Sequence, residues 1–188
     1  MAAGVDRHGG EAALGGRAAD VGCGHGASTI LMAQAFPAST FAGFDFHGPS
    51  IECAAQRAEQ AGVKNAVFVT ADAASFPAES GSRGYDLVAT FDCLHDMGDP
   101  VGCAKRVAAC LAPGGSWMIV EPAAGDTVES NLNPVARVFS AASTMICVPA
   151  SMATGGPALG ACAGEKRIAQ VGAGGGVCVV PAHGGDAV

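Results

Sequence analysis

The chain has 188 residues, enough for one domain with a sizeable core and too few for two. Its composition, 49% hydrophobic and 14% charged, excludes a disordered chain, and a net charge of −7 argues against the basic stripe of a nucleic-acid binder. No basic run followed by an apolar segment opens the sequence, so no signal peptide is expected, and no apolar run of about 18 residues is expected to span a membrane. The eight cysteines show no C-x-x-C spacing and mostly fall inside apolar runs. Neither a zinc knuckle nor a redox pair is expected from them, and a reduced, cytoplasmic setting is.

The elements alternate along the chain. "AADV" reads as the end of a short buried strand, and "GCGHG" follows it with Gly22, Gly24 and Gly26. Glycine is used where the backbone takes positive φ or must approach a ligand closely. Ala27 to Ala35 reads as a helix, so the glycines lie at a helix N-terminus, where free N–H groups and the dipole favour an anion or nucleotide. "STFAGFDF" is a second strand, and "PSIECAAQRAEQAG" a helix with proline at its start and glycine at its end. "NAVFVTADA" is a third strand and "YDLVATFDCL" a fourth. "VGCAKRVAACLAPGG" reads as a helix closed by Pro-Gly-Gly, and "SWMIVEP" as a fifth strand. Strands separated by single helices predict right-handed crossovers and a parallel sheet. The fold class is therefore α/β, doubly wound and mostly parallel.

Such sheets bind ligands beyond the carboxyl ends of their strands. An acid stands at each of those ends: Asp20, Asp45, Asp72, Asp92 and Glu121. Any one of them could be a plain turn or helix cap, but five on one rim point to a binding site. "GCGHGA" also fits G-x-G-x-x-A, and Asp45 lies 21 residues beyond Gly24, as a nicotinamide site would place its ribose acid. An NAD-dependent oxidoreductase is thus an alternative. The aspartate two residues before the first glycine, and the further acid Asp72 in "TADA", speak against it.

From about Arg17 to Glu121 the chain resembles the class I S-adenosylmethionine-dependent methyltransferases, on "DVGCGHG", "FDF", "TADA" and "FDCLHDMGDP". "LHDMGDP", "LAPGG" and "NLNPVARVFSAASTMICVP" resemble more narrowly an actinobacterial-type group acting on small molecules. The resemblance implies that the loop Gly22, Cys23, Gly24 and Gly26 lies against the methionine part of the cofactor, with Asp20 anchoring its amino end. It implies that Asp45 takes both ribose hydroxyls, that Phe46 lies beside the adenine, and that Asp72 and Ala73 meet the adenine edge. Phe91 and Asp92 lead into the segment that passes under the sulfonium. The implied partner is a small-molecule acceptor, with neither nucleic acid nor membrane.

His95 is the candidate catalytic residue, a base for an oxygen or nitrogen nucleophile; alternatively it packs or hydrogen-bonds under the cofactor. Residues 131 to 149 are expected to form a helical lid or substrate wall, and their apolar content suits core packing equally. Both ends depart from the family pattern. After "GEKRIAQV" a glycine-rich, irregular tail is expected over 169–188, with the last strands missing. Back-translated with GC-rich codons and shifted by one base, "VCVVPAHGGDAV" can read FASFRRTAETPF, and the opening "MAAGVDRHGGEAALGG" can read WLPALTDTVVRLRLEG. Both ends are therefore expected to be out of frame, with 1–16 poorly specified and 17–168 the methyltransferase domain. An inactive, truncated cofactor-binding fragment remains an alternative.

Overall fold

A computed structural model describes residues 15–78 and 83–178. Five strands form one sheet in the order β3-β2-β1-β4-β5, and every neighbouring pair is parallel. The strands are β1 (Arg17–Val21), β2 (Thr40–Asp45), β3 (Ala66–Thr70), β4 (Tyr85–Phe91) and β5 (Leu111–Val120). The helices are α1 (Ala27–Ala35), α2 (Gly48–Gln60), α3 (Pro100–Cys110), α4 (Pro134–Met145), α5 (Cys147–Ala153) and α6 (Glu165–Gly174). Chain order reverses between β1 and β4, so the loops leaving those strands diverge and open a crevice.

The pleat decides which side of the sheet each residue serves. Ala18 and Phe41 pack with Ala33 of α1 on one face. The next residues along, Ala19 and Ala42, turn to the other face, where Val21, Phe44, Val88 and Leu94 meet α3 and α6 through Val107, Ile168 and Val171. Phe76 is fully buried in this larger cluster, its ring centroid 5.2 Å from that of Phe44. Burial of such a side chain contributes roughly 1.5–3 kcal/mol. Arg106 Nε also donates to the Phe76 carbonyl at 2.7 Å. Together these contacts pin the loop that follows β3, and with it the position of Asp72.

Several boundaries differ from the sequence expectation. β4 stops at Phe91 rather than running through Leu94, because Asp92 takes a left-handed backbone (φ 52°) that turns the chain away. α3 ends at Cys110, and "LAPGG" belongs to the start of β5. Tyr85 pairs with Leu111 while Leu87 pairs with Ser116, so the Pro-Gly-Gly residues bulge out between the two pairs. α6 continues to Gly174, through part of the stretch expected to be irregular. The two stretches whose frame was questioned lie largely outside the described residues.

The 131–149 stretch is helical but not one rod: α4 and α5 are separated at Ile146 (φ −123°, ψ −69°). Asn133 caps α4 by accepting from the Ala136 amide at 2.9 Å. One expectation needs correction here. The 20-residue segment Pro134–Ala153 is long and apolar enough to cross a membrane, by length and composition alone. Much of its apolar surface is exposed, including Val138, Met145 and Ile146.

Candidate functional site

A cleft of about 400 Å³ opens at the carboxyl ends of β1, β2 and β3, floored by the turn after β4 and walled by α5. Gly22, Asp45, Phe46, Asp72 and Ala73 line it from the strand ends, Ala150 from α5, and Thr154 from the residue that caps it. A larger hollow of about 600 Å³ runs along β5 between Trp117 and Ile168. The cleft, not the hollow, occupies the place where open α/β sheets hold ligands.

The glycine loop is built by backbone bonds. The Gly22 and Cys23 amides both donate to the Phe44 carbonyl, at 2.8 and 3.0 Å. The Gly24 amide donates to Asp45 Oδ2 at 2.9 Å, and the His47 amide to Asp45 Oδ1 at 2.9 Å. Each Asp45 oxygen thus accepts one bond and keeps capacity for another. Gly24 is left-handed (φ +52°), and a Cβ there would meet nothing within 4 Å, so the loop presents bare backbone on that side.

Asp20 is buried beneath this loop. Its Oδ2 accepts from Ser28 Oγ at 2.5 Å and Thr29 Oγ1 at 2.6 Å, which fastens β1 to the start of α1. Its Oδ1 is buried without a hydrogen-bond partner among the described residues. Burial raises the carboxyl above its ordinary range, against the pull of the two hydroxyls. A buried anionic oxygen with unused capacity suits an ammonium group or a bridging water. Asp72 is exposed at the cleft rim; its Oδ1 accepts from the Ala74 amide at 2.8 Å. Phe46 leaves 74% of its surface uncovered. Such a ring beside the cleft offers a flat apolar face to a planar ligand.

Of the residues named from sequence, Asp45, Phe46, Asp72, Ala73 and Gly22 are brought together on the cleft wall. Asp20, Cys23, Gly24 and Gly26 form the structure behind it. Phe91 and Asp92 do not line it; Cys93 takes that place, its Sγ donating to the Val21 carbonyl at 3.3 Å. The structure adds Asp99, Ala150 and Thr154. Asp99 carried a legible signal, since Asp before Pro opens a helix, and it does cap α3 by accepting from the Gly102 amide.

His95 is placed differently from a solvent-facing base. It sits in a one-turn helix, Leu94–Asp96, with 3% of its surface exposed, and it is absent from the cleft wall. Its Nδ1 is hydrogen-bonded to Glu121 Oε2, and Glu121 Oε1 accepts from the Leu94 amide at 2.9 Å. Burial alone would lower the His95 pKa, but the bond to Glu121 and its charge, joined by Cys147, lift it to about 9. Glu121 occupies Nδ1, which leaves Nε2 as the other ring nitrogen.

The chain belongs to the family described as "Methyltransferase domain", whose profile matches residues 15–170. It is 34% identical over 103 residues to the trans-aconitate 2-methyltransferase of Delftia acidovorans, covering 55% of this chain and 37% of that protein. It is 35% identical over 102 residues to the 27-O-demethylrifamycin SV methyltransferase of Amycolatopsis mediterranei, covering 54% and 36%. The chain thus spans little more than a third of the length of these relatives. Among solved structures, the YcgJ protein from Bacillus subtilis superimposes with a TM-score of 0.58 at 23% identity, over 74% of this chain and 56% of that one. The cyclase SpnF gives 0.52 at 26% identity, over 56% and 38%. The family match leaves the nicotinamide alternative without support.

Proposed function

We propose that the chain is the donor-binding part of an S-adenosylmethionine-dependent methyltransferase that acts on a small-molecule acceptor. The observation that carries this is the single cleft onto which Asp45, Phe46 and Asp72 converge from the ends of β2 and β3, with the Gly24 amide fixing Asp45. The residues present fit the donor. Asp45 has acceptor capacity left for a ribose diol, and Asp72 for an exocyclic amino group. Phe46 offers its ring to a purine, and the unpartnered Asp20 Oδ1 suits the amino end. When bound, S-adenosylmethionine supplies a methyl group already activated by its sulfonium.

The protein's own task is then to bind, orient and exclude water, because an in-line transfer is governed by positioning and desolvation. The Phe76 anchor fixes Asp72, and the Gly24–Asp45 bond fixes the glycine loop. α5 closes the side opposite the strands, which is where an acceptor would approach. His95 holds its proton against Glu121 and is not the proton acceptor in this scheme. The rim acids and the charge of −7 argue against a phosphate-bearing partner. The helical break at Ile146 and the buried Ser143 and Ser151 argue that α4 and α5 pack on the protein rather than in a membrane. The cysteines stand as free thiols, which suits a reduced, cytoplasmic setting.

Calorimetric titration with S-adenosylhomocysteine, with NADH as control, tests the proposal. Binding near micromolar, about −8 kcal/mol, is the expected result. Binding of NADH alone would overturn it, and a folded sample that binds neither would favour the inert-fragment alternative.

A further inference from the structure

The donor cleft leaves one cluster of reactive side chains without a role. His95, Asp96 and Cys147 each offer one ligand atom, and these three atoms lie within 4.8 Å of one another. They come from distant parts of the chain: two from the turn after β4, one from the first residue of α5. In a tetrahedral zinc site, bonds of about 2.0–2.3 Å place neighbouring ligand atoms roughly 3–4 Å apart. Only a small inward shift therefore separates this cluster from a coordination sphere.

The surroundings of His95 supply a second, independent observation. Its Nδ1 is held by Glu121, so Nε2 is the ring nitrogen left for a ligand. A histidine that binds a metal characteristically donates its other ring N–H to a carboxylate, which fixes the ring and raises its basicity. Glu121 is itself fixed by the Leu94 amide. A second grouping, Asp92, His95 and Glu121, is weaker. It would use the His95 nitrogen that already faces Glu121, and its Asp92 side chain is 71% exposed.

We propose that His95, Asp96 and Cys147 bind one divalent transition-metal ion of the zinc type, with Glu121 orienting His95. A mixed nitrogen, sulfur and oxygen set suits zinc and its neighbours and disfavours magnesium and calcium, which take oxygen ligands. Three protein ligands leave one position open, as in catalytic rather than structural sites. Cys147 shares a face of α5 with Ala150, three residues on, and Ala150 lines the cleft, as do the C-cap Thr154 and Asp96. The open position therefore lies beside the cleft. Resting on the methyltransferase proposal, it would take an oxygen or sulfur group of the acceptor.

The test uses the full chain, stripped with chelator and titrated with Zn²⁺ and, separately, Co²⁺. One equivalent should bind, and the cobalt form should show a thiolate-to-metal charge-transfer band. Cys147→Ser should remove that band, and Glu121→Gln should weaken Zn²⁺ binding roughly 10- to 100-fold, while Cys178→Ser leaves it unchanged. In the unaltered chain, Zn²⁺ should protect Cys147 from alkylation, so the result does not depend on any variant folding. Cobalt bound without a thiolate band, or Cys147 alkylated equally fast with and without Zn²⁺, overturns the proposal. Both readouts are independent of S-adenosylhomocysteine binding, so failure of this site and failure of the methyltransferase proposal are told apart.

Discussion

The Gly24 amide donates to Asp45 Oδ2 at 2.9 Å, tying the loop after β1 to the end of β2. Asp45 therefore has two tasks, holding the loop and facing the cleft, whereas among the described residues the Asp72 carboxylate bonds only the nearby Ala74 amide. Asp45→Ala should lower both thermal stability and S-adenosylhomocysteine affinity, the latter roughly 10- to 100-fold, as for the loss of a charged hydrogen bond. Asp72→Ala should lower affinity by a similar factor with Tm almost unchanged. Calorimetry and a thermal melt on both variants check this; equal Tm losses would contradict the division of labour.

Two glycines of one loop should respond differently to alanine. At Gly26 a Cβ would fall 2.8 Å from the Phe68 ring and 2.9 Å from Ala54, on a backbone at φ +76°. Gly26→Ala should cost about 1–3 kcal/mol of stability. At Gly24 the methyl meets open space, so only the left-handed backbone is penalised, about 1–2 kcal/mol. Its main effect should be on affinity, because the methyl enters the side on which the donor is expected. Chemical denaturation and ligand titration of the pair separate the two effects.

Asp20 should give the protein a pH-dependent stability. Its folded-state pKa is raised by burial above the unfolded value. The folded state thus holds the proton more tightly, and this stabilisation is full below the unfolded pKa of about 3.9 and lost as pH rises through the folded value. Asp20→Asn keeps an oxygen for Ser28 and Thr29 but has no proton to lose. Melts across about pH 4 to 7 should show a flatter profile for the variant, no less stable than the parent at the upper end. Its affinity for S-adenosylhomocysteine should fall. An unchanged slope would show that Asp20 does not titrate as described.

The cysteines should divide by reactivity. Burial pushes Cys23 and Cys103 to about 12 and Cys93 well above its ordinary value, whereas Cys178 is exposed. At about pH 8 a thiol at 12 has a thiolate fraction on the order of 10⁻⁴. Timed alkylation with peptide mapping should find Cys178 labelled first and Cys23, Cys93 and Cys103 last. Labelling of Cys23 or Cys103 at the rate of Cys178 would mean that the core opens.

Much of the sheet was legible because glycine, proline and apolar runs punctuate it locally. α1 is found where the sequence places it, and β1 to β3 differ only at their ends. The rim acids Asp45 and Asp72 follow from the same logic, since they stand at or just beyond a strand end, whereas Phe46 came from the family resemblance. What was illegible depends on partners far away in the chain. The pairing of His95 with Glu121 joins residues 26 apart in the chain, and no local pattern encodes it. The bulge before Ser116 arises from the β4 register, which no local pattern encodes. The helical Gly172 to Gly174 are carried by tertiary context: Val171 and Gly172 are buried and α6 packs on α3, against low helix propensity.

The acids gathered on the cleft side of the sheet also bear on traffic through it. Asp45, Asp72, Asp96 and Asp99 all line one opening. A sulfonium donor carries a net positive charge there, and the homocysteine by-product has lost it. The field of the rim draws in the first and has no such hold on the second, favouring capture of fresh donor over retention of spent product. Steering of this kind raises association rates by about 10- to 1,000-fold at low salt. It fades once the screening length shrinks to about 8 Å near physiological ionic strength. Donor exchange in this protein should therefore slow with added salt on the way in far more than on the way out.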